Sequence, residues 1–288
     1  MSVGGHLFLA LLEGTVAGMV LALTALGLSL VFGVMRIVNV AHGEFFMVGA
    51  VVAWYASTVT GHFVVALVAA PLAAAGIAVL ADRLVLCRVE YRPESTIVAT
   101  IGLLYIIQQA VLTLYGPYAR PVVPPFDFRV EFPEFGYSGY KLVIAAGAGL
   151  LLWGTWLLVS RTTLGLYMRA TQQDRDMAQA FGVPVSRIYT VAFALGGALA
   201  AVAGALIVPV QQAHYLMGLD ALLMSFVAVI LGGLGSFKGT VLAAFLIGVS
   251  DGIVSVFFSP TLAKIVATLL VALVLALRRG GLFGEAEA

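Results

Sequence analysis

The polar residues with the widest chemical repertoire in this chain are crowded between two long apolar stretches. They are Arg36, Asn39, His42 and Glu44, with Gly43 among them. One histidine beside one glutamate gives too few ligands for a zinc site, so no metal is expected here. Two interpretations stay open. The segment is either an ordinary turn anchored by its arginine, or a broken helix whose free backbone groups line a cavity inside the protein. The apolar run before it, residues 9–34, is long enough to overshoot a bilayer, which favours the broken helix.

A second polar segment, Leu164–Pro184, is the longest run of helix-forming polar residues in the chain. Its pattern predicts a short amphipathic helix around Arg169–Phe181. Gly182 can end that helix with a left-handed backbone, and Pro184 prevents its resumption. Such a helix between membrane spans is suited to docking on a soluble partner. A solvated helix without a partner is the alternative.

These two segments lie in a chain that is far too apolar to be soluble. Of its 288 residues, 62% are hydrophobic and 10% are charged, whereas soluble domains carry about 25% charged residues. The net charge of +1 offers no basic patch for nucleic acid. The single cysteine, Cys87, excludes an internal disulfide. The fold class predicted is an all-α, polytopic membrane helix bundle.

Spanning helices need about 20 apolar residues, and nine runs are candidates, although three are short. About eight or nine transmembrane helices are therefore expected, with eight spans plus one re-entrant segment as an alternative. The runs are 9–34, 44–60, 63–86, 96–114, 142–160, 188–210, 219–235, 239–257 and 262–277. With the loop 161–187 in the cytoplasm, 11 of the 15 Lys and Arg residues lie inside, so the N-terminus is expected outside and the C-terminus inside. The Pro-rich loop 115–140 is then an external cap, and no repeat of the two halves is evident.

Few ionisable residues interrupt the predicted spans, and such residues are functional by default. Asp251 lies well inside the run 239–257, where a polar network or a gate is an even alternative to a structural role. Asp220 begins a run, so an interfacial position is enough to explain it. No chain of carboxylates or histidines suggests a proton relay, and no catalytic constellation is present.

A glycine-rich string joins the apolar runs 219–235 and 239–257 and resembles a phosphate-binding loop. The string is Gly232-Gly233-Leu-Gly235-Ser-Phe-Lys238-Gly-Thr240. A phosphate loop requires the glycine before the lysine, and here the order is reversed. We therefore expect a tight cytoplasmic turn, no ATPase activity in this chain and no cofactor.

Three segments together resemble the permease subunits of bacterial branched-chain amino acid ABC transporters, in particular the shorter of the two permease types. They are Leu26–Ala50 with its string Asn39-Val-Ala-His-Gly-Glu44, then Leu164–Gly182, then Val229–Thr240. The resemblance covers nearly the whole chain, residues 1–288, as a single permease domain. It implies a multi-pass protein of the bacterial inner membrane, coupled to a separate ATPase. Urea and short-chain amide permeases share these signatures.

Importer permeases of this kind carry a cytoplasmic coupling helix with the pattern Glu-Ala-Ala, three residues, Gly. Here Asp176-Met-Ala178-Gln-Ala-Phe-Gly182 matches at the first, third and seventh positions, but a later Ile-x-Leu-Pro element is absent. The candidate coupling residues are Arg169, Ala170, Asp174, Asp176, Ala178 and Gly182. The candidate residues of a translocation path or polar cluster are Asn39, His42, Gly43, Glu44 and Asp251. The tight turn is assigned to Gly232, Gly233 and Gly235.

The resemblance also implies partners. These are a second homologous permease, two cytoplasmic ATPase subunits, an extracytoplasmic solute-binding protein, a small-molecule solute and membrane lipid, but no nucleic acid. Leucine, isoleucine and valine are the expected solutes. The rival from another class is a stand-alone secondary transporter or channel, which would need its own strong substrate or ion site and no docked ATPase.

Overall fold

The computed structural model describes residues 2–259, 261–262, 264–266 and 269, and helices dominate this part of the chain. The α-helices are α1 (Val3–Met35), α2 (His42–Thr60), α3 (Phe63–Ala81), α4 (Pro93–Tyr115), α5 (Gly139–Arg161), α6 (Thr163–Gln173), α7 (Arg175–Ala180), α8 (Val185–Gln211), α9 (Met217–Gly232) and α10 (Phe237–Phe257). Helix α3 continues through a π-helical turn (Asp82–Leu86) and a 3₁₀ turn (Cys87–Val89).

The prediction of an all-α membrane bundle is confirmed, but the expected count of eight or nine spans is not. Within the described residues, six helices are long and apolar enough to cross a membrane: α1, α3 with its continuation, α4, α5, α8 and α10. They cover six of the nine predicted runs. The runs 44–60 and 219–235 correspond to α2 and α9, which are not among the six. The run 262–277 falls largely outside the described residues.

The bundle has two ends, which we name after a residue at each. At the Arg36 end, the Arg36 guanidinium donates to the Gln172 carbonyl of α6 (3.1 Å). At the Ser2 end, the Ser2 hydroxyl donates to the Glu134 carboxylate (2.7 Å). The two polar segments of the sequence that were expected to be cytoplasmic, including the loop 161–187, therefore meet at one end. The loop 115–140 lies at the other.

Small residues let the central helices approach closely. Helices α1 and α8 cross at Gly27 and Gly196, where a methyl group on Gly196 would lie 2.7 Å from the Gly27 carbonyl oxygen. Along α8, small residues recur at four-residue spacing with Ala200 and Gly204, and Ala200 is fully buried. Helices α4 and α5 lie at the periphery, with large apolar side chains such as Ile106 and Leu150 exposed for lipid.

The loop 115–140 is an ordered cap without a long helix, as its prolines predict. It contains an antiparallel pair of short strands, β1 (Arg129–Glu131) and β2 (Gly136–Ser138), with Val130 opposite Tyr137. The Arg120 guanidinium stacks over the Trp54 ring at 4.4 Å from its centroid. Hydrogen bonds from the Ser2 hydroxyl and backbone N–H lower the pKa of Glu134, which keeps this tether charged.

Candidate translocation site and docking surface

The chain between α1 and α2 turns back into the bundle. Helix α1 ends where Arg36 adopts a left-handed backbone (φ 54°), and the β-branched residues that follow disfavour helix. Helix α2 then begins at His42, whose Nε2 donates to the Thr24 carbonyl oxygen (2.9 Å). Thr24 precedes Met35 by 11 residues, or about 16 Å along α1. The extended segment 36–41 therefore brings the start of α2 deep inside the bundle.

A second segment makes the same excursion from the opposite end. Helix α8 ends at Gln211, the segment 212–216 turns inward, and α9 begins at Met217. Ala213 exchanges two backbone hydrogen bonds with Arg120 of the loop 115–140, both 2.9 Å. With 16 residues, α9 is about 24 Å long, which is shorter than a hydrocarbon core of about 30 Å. The chain thus has two short helices that begin inside the membrane and run in opposite directions.

The two short helices meet at their N-terminal ends, at Gly43 and Gly218. A methyl group on Gly218 would lie 2.7 Å from the Gly43 carbonyl oxygen, and one on Gly43 would lie 2.7 Å from the Leu222 Cβ. The same methyl group on Gly218 would lie 3.2 Å from the Glu44 carboxylate. Two helix N-termini, which carry partial positive charge, therefore converge beside one buried carboxyl group.

The side chains of Asn39, His42 and Glu44 are all buried at this break, with 0%, 0% and 1% exposure. The Asn39 carboxamide oxygen accepts from the Ala41 backbone N–H (3.1 Å), which holds the turn before α2. The Val40 N–H donates to the Thr100 hydroxyl of α4 (3.2 Å). The broken helix, rather than an ordinary turn, is the interpretation that the structure supports.

Each of these three side chains keeps one polar atom without a hydrogen-bond partner among the described residues. The atoms are Asn39 Nδ2, His42 Nδ1 and Glu44 Oε2. A buried polar atom left unpaired costs about 1–3 kcal/mol. The cluster is therefore suited to binding water or a polar solute. Among the described residues, no three His, Cys, Asp or Glu side chains come together as a metal site.

Asp251 does not join this cluster. It lies on α10 between Gly248 and Gly252, which pack against α1 near Gly14. Gly14 is ten residues, or about 15 Å along the axis, from Thr24. Asp251 and His42, grouped as candidates from the sequence, are therefore not in contact, because the packing of α10 against α1 places Asp251 nearer the Ser2 end.

The charged segment forms two helices rather than the single helix predicted around Arg169–Phe181. The break falls at Asp174, which has an extended backbone (φ −152°, ψ 113°). Its carboxylate accepts from the Met177 N–H (2.9 Å) and caps α7. Aspartate at such a position satisfies an otherwise unpaired helical N–H and so begins a new helix. The predicted stop is confirmed: Gly182 has φ 82°, directly after α7 and before Pro184.

The apolar side chains in and just after α7 differ in how far they are exposed. Ala178 is 5% exposed and packs inward, whereas Met177 is 53% and Phe181 is 82% exposed. Asp176 is also exposed. Two large apolar side chains beside a carboxylate thus protrude from the Arg36 end. In α6, Arg169 is exposed and donates to the Val159 carbonyl of α5, and Ala170 is half-buried beside it.

A cavity of about 360 Å³ lies between helices α6 and α7 and the end of α1. It is lined in part by Arg36, Tyr91, Asp174, Arg175 and Tyr189. Burial raises the pKa of Tyr91, so its hydroxyl stays neutral. The Arg36–Gln172 hydrogen bond crosses this region, which links α6 directly to the first residue of the segment 36–41.

The glycine-rich string forms the tight turn predicted for it. Gly233 and Gly235 have positive φ (101° and 77°), and the Ser236 N–H donates to the Gly233 carbonyl (3.0 Å). A methyl group on Gly33 of α1 would lie 3.3 Å from the Gly235 Cα, so the turn packs directly against α1. Gly232 contacts Gly239 where α9 and α10 meet.

Three polar residues near these sites were not singled out by the sequence as site residues. Thr24 supplies a backbone oxygen, which no side-chain pattern signals, and Thr100 stands between Ala99 and Ile101, so no adjacent polar residue marks it. Asp220 was expected to begin a run at an interfacial position. It lies in the first turn of α9, two residues after Gly218. The short length of the run 219–235 was the available signal.

Comparisons with known proteins match this chain to transport permeases. The profile of the family described as branched-chain amino acid transport system, permease component, matches residues 10–275. BraD of Pseudomonas aeruginosa, a high-affinity branched-chain amino acid transport system permease protein, is 29% identical over 98% of this chain and 97% of its own length. LivH of Escherichia coli is 27% identical, covering 96% and 94%. The probable LivH of Methanocaldococcus jannaschii is 28% identical, covering 86% and 82%. This chain therefore belongs to the family of permease components of branched-chain amino acid transport systems.

Proposed function

We propose that this chain is the membrane permease subunit of an ABC importer that carries leucine, isoleucine and valine into the cell. The observation that carries the proposal is the nearly full-length similarity to BraD and LivH, whose names state this solute class. The chain itself is not an enzyme in this proposal. Separate ATPase subunits hydrolyse ATP.

The Arg36 end is the cytoplasmic end in this proposal. The excess of Lys and Arg in the loops at that end supports it, and the Ser2 end then faces the binding protein outside. In a Cys87→Ser chain, a cysteine at Gln173 should react with an impermeant thiol reagent only from the cytoplasmic side. Labelling from outside in intact cells would refute this orientation.

The pathway runs past the break between α1 and α2. The unpaired polar atoms of Asn39, His42 and Glu44 support this route, because a passing solute or its water can pair with them. Gly43 keeps α2 close to α9 at the same level. Asp251 acts separately, on the part of the pathway nearer the outside.

The helices α6 and α7 couple this pathway to the ATPases. Exposed Asp176, Met177 and Phe181 offer an acidic and apolar knob to a socket, while buried Ala178 holds α7 on the bundle. A displacement of α6 acts on Arg36 through its bond to the Gln172 carbonyl. Arg36 begins the segment that ends at the polar cluster. A movement of α6 is therefore transmitted to the pathway through the single hydrogen bond between Arg36 and Gln172.

The remaining partners follow from this assignment. They are a second homologous permease, two ATPase subunits and an extracytoplasmic solute-binding protein, in a bacterial inner membrane. Urea or short-chain amides are the alternative solutes. A stand-alone transporter or channel is the alternative class.

One experiment separates these possibilities. Cells that express the chain with its neighbouring transport genes should take up radiolabelled leucine, and excess isoleucine or valine should compete while urea and acetamide should not. The purified chain should also carry an ATPase subunit with it. Uptake of urea alone would overturn the solute assignment, and leucine uptake without any associated ATPase would favour the stand-alone transporter.

A further inference from the structure

One group of charged side chains lies outside the polar cluster, on α9, on α10 and in the chain after α10. Lys264 Nζ and Asp220 Oδ2 form an ion pair at 3.1 Å, and their side chains are 56% and 74% exposed. Asp251 of α10 is half-buried. Charged side chains with this much exposure are common on soluble proteins but rare within the membrane.

The hairpin register places these charges at membrane depth. Gly232 contacts Gly239 at the turn, and Asp220 and Asp251 are each 12 residues away along their antiparallel helices. Twelve helical residues span about 18 Å, so with the turn at one boundary both carboxylates lie within a hydrocarbon core of about 30 Å, just past its middle toward the Ser2 end.

Lipid is an unfavourable neighbour for such a face. Charged side chains at this depth face a bundle interior or a water-filled cavity, because hydrocarbon cannot solvate them. The periphery of the same bundle illustrates the contrast: large side chains with similar exposure in the middle of α4 and α5 include many that are apolar or aromatic. Examples are Tyr105 (65%), Ile106 (66%), Leu150 (67%) and Trp153 (59%).

We infer that the face formed by Asp220 of α9, Asp251 of α10 and the following Lys264 lines the water-filled part of the translocation pathway, between this chain and the second permease. There it presents both signs of charge to a zwitterionic α-amino acid. The lysine ammonium complements the solute carboxylate, and the aspartates complement its ammonium group. The identity of the solute rests on the proposed function, whereas the water access of this face does not.

Thiol labelling of the complete transporter in proteoliposomes tests this inference. Cys87 is exposed and is first replaced in a Cys87→Ser chain. Asp220→Cys and Asp251→Cys should then react with the impermeant cation MTSET at least tenfold faster than Ile106→Cys and Leu150→Cys, because thiolates form only where water enters. Saturating leucine should slow the reaction at the two hairpin positions.

A further labelling position tests the same face without removing the ion pair. Leu223 lies one turn from Asp220 and is 60% exposed, so Leu223→Cys reports on the same face with all three charges intact. Rates at Leu223→Cys and both aspartate positions as low as those of the lipid-facing controls would overturn the inference. Fast labelling that leucine does not slow would show that water reaches this face but that leucine does not bind there. That result would contradict the proposed solute contact and leave the water access of the face intact.

Discussion

The contact between Gly43 and Gly218 makes a quantitative prediction about the junction of α2 and α9. In a Gly218→Ala variant the new methyl group would lie 2.7 Å from the Gly43 carbonyl oxygen, whereas ordinary contacts begin near 3.4 Å. The two helices must therefore separate by at least about 0.7 Å. Overpacking of this kind costs about 1–3 kcal/mol.

The assay is thermal unfolding of the purified transporter, followed by tryptophan fluorescence. A loss of 1 kcal/mol lowers the Tm by about 2–4 °C in domains of 150–250 residues, so Gly218→Ala should unfold several degrees below the wild type. Gly43→Ala should behave similarly. The matched control is Gly102→Ala in α4, where no atom lies within 4 Å of the new methyl group.

The control should be neutral or slightly stabilising, because alanine is favoured over glycine in helices by about 1 kcal/mol. Leucine uptake should fall in Gly218→Ala, since the methyl group also crowds the Glu44 carboxylate at 3.2 Å. If both junction variants unfold at the temperature of Gly102→Ala, the two short helices are not in close contact and this account of the site is wrong.

Three other substitutions test the coupling surface and the polar cluster. Arg36→Gln should lower solute-stimulated ATPase activity severalfold, whereas Arg88→Gln, which loses only a bond to its own helix, should not; equal effects would reject the link. Gly182→Trp should abolish uptake while the chain still inserts in the membrane, because φ 82° strains any side chain there; normal uptake with normal ATPase association would exclude α7 as the coupling element. Asn39→Leu leaves the Ala41 N–H unpaired, at about 1–3 kcal/mol, and should lower uptake more than Val123→Ala in the external loop. The reverse order would place the cluster outside the pathway.

Much of the architecture follows from composition and local patterns. Six of the nine apolar runs are helices of spanning length, because an apolar run of about 20 residues has no other stable form in lipid. The helix stop at Gly182 was predictable for a local reason, since glycine tolerates a left-handed backbone and proline blocks the next turn.

The rest depends on contacts that no local pattern contains. Asp174 separates α6 from α7 because its carboxylate caps α7, yet Asp176 lies within α7, so the residue type alone does not locate the break. The sequence did not reveal that the segments 36–41 and 212–216 both turn into the bundle. They do so from opposite ends and share little sequence, since one contains Arg36 and Asn39 and the other begins at Gln212. The depth of Asp220 likewise follows from the contact of Gly218 with Gly43, which only the fold reveals.

The central claim is that a separate ATPase drives solute through this chain, and ATP-dependent uptake in proteoliposomes tests it most directly. The purified permease pair, ATPase subunits and binding protein are reconstituted with ATP inside, and radiolabelled leucine is added outside. We expect accumulation of leucine that requires both ATP and the ATPase subunits, and that stops when either is omitted. Leucine accumulation of equal size without the ATPase, driven by an imposed ion gradient, would contradict the account.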